Sequence, residues 1–123
     1  MKLIAIICGA AIGASGRYFL SGWISSSARA NFPWGTLAVN LLGCLVIGLL
    51  WGMGEKADWS PLIRSFLFIG ILGSFTTFSS FGLETAHLLM ADMSGSALIY
   101  VATSNLGGFA MVWAGITAGS AGS

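Results

Sequence analysis

The side chains of this sequence that can do chemistry fall in a few clusters. Asn40 stands inside the apolar run Gly35–Met53, and Thr36 lies one helical turn before it on the same face. A second cluster is Gly73-Ser74-Phe75-Thr76-Thr77-Phe78-Ser79-Ser80-Phe81, with Glu84 three residues further on. A third is the pair Tyr100 and Ser104, whose stripe Gly108 continues without a hydroxyl, with Asn105 beside it. Amides and hydroxyls are neutral hydrogen-bond donors, and aromatic rings carry a positive edge. Such groups suit the handling of a small anion without a fixed cation to trap it. Asn40 reads either as an interhelical hydrogen bond or as an amide N–H aimed at a permeating anion. Phe78 and Phe81 share one helical face and read either as packing or as ring edges along an anion path. Arg17 either snorkels to water or supplies positive potential at a mouth. Glu84 is a vestibule carboxylate or an ion-pair partner, with His87 interfacial one turn beyond. No acid pair, nucleophile with a base, or phosphate loop is present, so the sequence does not read as an enzyme. Cys8 and Cys44 lie in apolar stretches and read as packing residues, and one His cannot complete a Cys/His metal site.

The elements that carry these residues follow from composition. The chain has 123 residues, of which 56% are apolar and 7% charged, where an ordinary globular domain is about a quarter charged. The mean hydropathy is +0.90. Nine charges, five basic and four acidic, exclude a soluble enzyme and a disordered chain. A net charge of +1 gives no field for binding nucleic acid. The reading is an all-α membrane protein, a single domain over residues 1–123, with four spans of about 20 residues each. They run Leu3–Trp23, Gly35–Met53, Pro61–Met90 and Ser96–Ile116. The first continues through Gly16 to Leu20, too long for the core of a cleavable signal. Between the spans lie the polar stretch Ser25–Asn31, the charged loop Glu55–Asp58 and the turn Asp92–Gly95. Ser60-Pro61 predicts an N-cap followed by Pro at the first helical position. The third span is too long, and too rich in glycine and hydroxyls at its middle, to be one plain helix; a break is predicted there. Trp23, Trp34, Trp51 and Trp59 mark span ends as interfacial anchors. Gly9-x3-Gly13 and Gly48-x3-Gly52 predict close helix contacts. With four spans, Lys2, Lys56 and Arg64 fall on the side of the termini, and Arg29 and Arg17 on the other. Three against two is almost no orientation signal, which makes an antiparallel homodimer with a pore at its interface a natural assembly.

At three of these motifs the chain resembles the Fluc (CrcB) fluoride channel family. They are Gly13-Ala14-Ser15-Gly16-Arg17-Tyr18, Gly35-Thr36-Leu37-Ala38-Val39-Asn40-Leu41-Leu42-Gly43, and Gly73-Ser74-Phe75-Thr76-Thr77-Phe78-Ser79-Ser80-Phe81. Their order and spacing match, Glu84 follows in place, and the third motif is the most specific. The resemblance implies a passive fluoride channel of the cell's inner (plasma) membrane that relieves fluoride toxicity. It implies an antiparallel, dual-topology homodimer with two pores. It also implies a structural sodium ion at the dimer centre, held by the backbone carbonyls of Gly73 and Thr76. The pore asparagine maps to Asn40, the pore phenylalanines to Phe78 and Phe81, and the hydroxyl track of the last helix to Tyr100 and Ser104. Thr77, Ser79 and Ser80 join them as candidate pore residues, with Arg17, Glu84 and Thr36 at the vestibules. The third position of the track falls on Gly108 where a serine is expected. Ser74 and Ser79-Ser80 also depart mildly from the family pattern. The alternative is a small dual-topology, proton-coupled multidrug exporter, which needs a membrane-embedded acid. The first span has none, and Glu84 comes late in the third.

Overall fold

In a computed structural model, residues 1–27 and 31–122 are described. Arg29, one of the charges weighed for orientation, lies outside them. The described residues form helices and turns: α1 (Lys2–Ser27), α2 (Trp34–Ala57), α3 (Pro61–Arg64), a π-helical segment (Ser65–Leu72), α4 (Gly73–Phe75), α5 (Phe78–Met90) and α6 (Ser94–Ala121). From α3 to α5 the chain is one interrupted span. Four stretches are long and apolar enough to cross a membrane: Lys2–Ser26, Trp34–Ala57, Pro61–Met90 and Ser94–Ala121. The architecture is thus an all-helical, four-span bundle, as the hydrophobic runs predict.

The helices overrun their apolar runs because helical hydrogen bonding continues past the last lipophilic residue. Glu55, Lys56 and Ala57, expected in a loop, form the last turn of α2. That helix closes at Asp58, whose left-handed backbone (φ 51°) returns its N–H to Gly54 O. Ser60 caps the next helix as predicted, its Oγ accepting from Ile63 N at 3.3 Å with Pro61 in the first turn. Arg64 donates from Nε to Trp59 O at 3.2 Å and lies 5.8 Å from the Trp51 ring, so its charge is spent on tying this turn down.

Backbone-to-backbone packing holds the bundle, since apolar side chains gain little by leaving lipid for one another. A side chain at Gly52 would come within 2.5 Å of Ile116 O, and one at Gly48 would meet Val112 O, so α2 lies directly on α6. On the facing helix, Gly115 and Gly119 mirror them against Leu45 O and Leu49 O. Gly9 and Gly13 do the same for α1 against Phe66 and Ile71 of the π segment. Apolar side chains such as Phe109, Leu98 and Trp113 are exposed around this bundle. That is the surface lipid or a second copy would cover. An enclosed apolar cluster forms where Leu37, Leu88, Ala97 and Tyr100 are buried with Phe32, Leu41, Phe81 and Met93 against them.

Candidate functional site

The predicted break falls at Thr76 and Thr77, the only two residues between α4 and α5. Both are extended, with φ −90° and ψ 158° at Thr76, and φ −147° and ψ 119° at Thr77. Two peptide units leave the helical ladder here, and at membrane depth their polar groups need other partners. Asn40 on α2 supplies them for Thr77. Its Oδ1 accepts from Thr77 N at 2.8 Å and its Nδ2 donates to Thr77 O at 3.0 Å. Asn40 therefore makes the interhelical bond first, and its second N–H remains for another acceptor. Thr77 also caps α5, its hydroxyl accepting from Ser80 N at 3.2 Å.

These contacts free other backbone groups. Thr77 N would meet Gly73 O in a continuous helix, and Ser80 N would meet Thr76 O. Both N–H groups are turned elsewhere, to Asn40 and to the Thr77 hydroxyl. The carbonyls of Gly73 and Thr76 are thereby released from helical pairing, and peptide oxygens are the hard ligands that suit an alkali cation. No cluster of three His, Cys, Asp or Glu side chains that could hold a metal occurs among the described residues. Arg17 reaches the same break, donating from Nε to Ser74 O at 3.0 Å. A cation at the C-terminal end of α4 complements the helix dipole. The structure therefore puts Arg17 at the break, part-buried.

Below the break a cleft of about 280 Å³ opens between α2, the interrupted span and α6. Asn40, Thr77, Phe78, Phe81 and Ser104 line it, together with Thr76 and Asn105. Five expected pore residues are thus brought to one wall from three helices. Phe78 and Phe81 stand 5.7 Å apart between ring centroids. Phe81 packs on Tyr100, whereas Phe78 is 82% exposed and stands at the open side of the cleft. Ser104 Oγ is enclosed and has no hydrogen-bond partner among the described residues. Three expected pore residues lie off this wall. Ser79 is exposed and Ser80 half-buried, because the turn of α5 that brings Phe78 and Phe81 to the cleft carries the intervening residues away.

Tyr100 is fully buried, and its hydroxyl donates to Glu84 Oε1 at 3.0 Å. Thr36, also buried, donates to Glu84 Oε2 at 2.9 Å. Two hydroxyls, from α2 and α6, thus hold the two oxygens of Glu84. It also lines a second, open cavity of about 400 Å³ with His87, Phe32, Pro33 and Met93. The expected vestibule residues Thr36 and Glu84 are joined by their hydrogen bond, and Arg17 is apart from them, on Ser74 O. Sequence reasoning missed the Gly115-x3-Gly119 repeat, whose signal was present in the same small-residue spacing. It also missed Cys44 and Gly43 as cleft-lining residues, because apolar runs give no sign of which face opens.

Residues 4–116 match the profile of the CrcB-like protein, Camphor Resistance (CrcB), family. A curated relative from Parabacteroides distasonis, named fluoride-specific ion channel FluC, is 40% identical over 119 residues, 97% of this chain and 93% of its own length. Relatives of the same name from Stutzerimonas stutzeri and Methylobacillus flagellatus are 44% and 42% identical. They cover 91% and 93% of this chain, and in each case 91% of the relative.

Proposed function

Since the chain belongs to the CrcB-like family, we propose that it is a fluoride-selective passive ion channel and not an enzyme. In the cell's inner membrane it lets cytoplasmic fluoride leave down its electrochemical gradient. The observation that carries this reading is the cleft under the break, walled by neutral donors and ring edges from three helices. Fluoride is small and strongly hydrated, and a pore must replace its water with close donors. The second Asn40 N–H, the Ser104 hydroxyl and the edges of Phe78 and Phe81 are such donors. The N-terminal end of α5 adds the positive end of a helix dipole. Among the described residues no lysine or arginine lines the cleft, which suits conduction, since binding must be weak enough for exit. Glu84, the acid a proton-coupled exporter would use, is held by two hydroxyls and borders a different cavity, which favours the channel.

The assembly we propose is an antiparallel homodimer with two pores. The open cleft and the exposed Phe78 support it, because a second copy would close the wall that one chain leaves open. A sodium ion at the dimer centre, held by the Gly73 and Thr76 carbonyls of both copies, would supply fixed positive charge between the pores. Within this chain, Asn40 and Thr77 release those carbonyls, and Arg17 secures the neighbouring one at Ser74. The test is fluoride efflux from liposomes holding the purified protein, compared with chloride. Fluoride efflux well above that of empty liposomes, without matching chloride efflux, is expected. Efflux at the empty-liposome level would refute the reading.

A further inference from the structure

The hydroxyl stripe of α6 stops short. Tyr100 and Ser104 are followed, one turn on, by Gly108, which has no side chain to offer. Gly108 is buried, and a Cβ built on it would meet a single atom from another helix within 4 Å, Cys44 Sγ at 3.4 Å. Cys44 lies one turn beyond Asn40 on the same face of α2 and lines the same cleft as Asn40 and Ser104. Its thiol thus stands beside the space where a longer residue at position 108 would project. A thiol is a weak S–H donor that can face an anion. An independent observation marks the same wall: the enclosed Ser104 Oγ makes no hydrogen bond among the described residues. Buried hydroxyls are seldom left unmatched, and a passing anion would satisfy this one.

Building on the channel reading, we propose that Cys44 is a pore-lining residue. It continues the donor wall from Asn40 and Ser104 past Gly108 and makes the fluoride path sensitive to thiol modification. The other cysteine, Cys8, is exposed on α1 and does not line the cleft. A Cys8→Ser protein therefore leaves one thiol to be read.

The experiment reconstitutes Cys8→Ser protein in liposomes and treats it with methyl methanethiosulfonate. The Cys44 thiolate attacks the reagent's sulfenyl sulfur, the S–S bond forms, and methanesulfinate leaves. Labelling is read by mass, and fluoride efflux is read against the same preparation untreated. Complete labelling with at least fivefold slower efflux, reversed by dithiothreitol, is expected. Cys8→Ser/Cys44→Ala should show equal efflux before and after the reagent. In a second arm, Cys44→Ala slows efflux about two- to tenfold, the range for one lost hydrogen bond. Adding Gly108→Ser to it returns at least half of the loss, because the new hydroxyl projects beside the lost thiol. Labelled protein that still conducts fully would overturn the assignment, as would a thiol that reacts only after denaturation, or no recovery with Gly108→Ser. Absent efflux from the untreated parent would overturn the channel reading itself. Normal parent efflux with unaltered efflux after labelling would overturn only the role of Cys44.

Discussion

Replacing Asn40 with leucine separates two accounts of the break. Leucine has the same number of side-chain heavy atoms with the same branching, and is better suited to an apolar helix. If hydrophobicity alone governed this position, the substitution would be neutral or stabilising. The structure predicts the opposite. Asn40→Leu removes the acceptor of Thr77 N (2.8 Å) and the donor to Thr77 O (3.0 Å) together. Both Thr77 groups are then left facing an apolar side chain, at about 1–3 kcal/mol each. Thr77 is half-buried and borders the cleft, so water recovers part of this; a loss of about 2–3 kcal/mol is expected. That is roughly a hundredfold in the unfolding equilibrium. Asn40→Ala, which leaves room for water, should cost less than Asn40→Leu. The assay is unfolding of the detergent-solubilised protein by a denaturing detergent, followed by tryptophan fluorescence. Amide exchange at Thr77, which should quicken in both variants, supports it. Fluoride efflux should fall in both, because Asn40 lines the cleft. A leucine variant as stable as the parent, with unchanged exchange at Thr77 and unchanged efflux, would refute the reasoning.

Two further outcomes test the frame around that bond. Gly48→Val drives a branched side chain onto Val112 O, in a contact where neither backbone can yield. It should abolish recovery of folded protein from membranes, whereas Gly22→Ala, with open space around it, should leave yield unchanged. Thr77→Val keeps the shape of the residue but removes the acceptor of Ser80 N. It should cost about 1 kcal/mol, the usual worth of an N-cap, read as an earlier unfolding midpoint and faster exchange at Ser80.

The sequence alone determined what depends on neighbours in the chain. Runs of apolar residues announce spans because lipid selects for length and hydropathy residue by residue. Ser60-Pro61 announced a helix start because the cap is local. The glycine and hydroxyl cluster announced a break because those residues offer the backbone alternatives to the helix. The small-residue spacing announced close packing, though not which helices would pair. Only the tertiary structure decided how the break is tolerated. Thr77 takes its partner from Asn40, 37 residues away, and Ser74 takes its partner from Arg17, 57 residues away. Glu84 draws Thr36 and Tyr100 from two other helices. No local pattern encodes such pairs, because each is fixed by where helix packing brings side chains together. The same holds for the faces of α2 and α6. The sequence marked Asn40 and Ser104 as polar groups in apolar runs. Packing along Gly48, Gly52, Gly115 and Gly119 is what seats α2 on α6, and the cleft between them shows that Cys44 shares its wall.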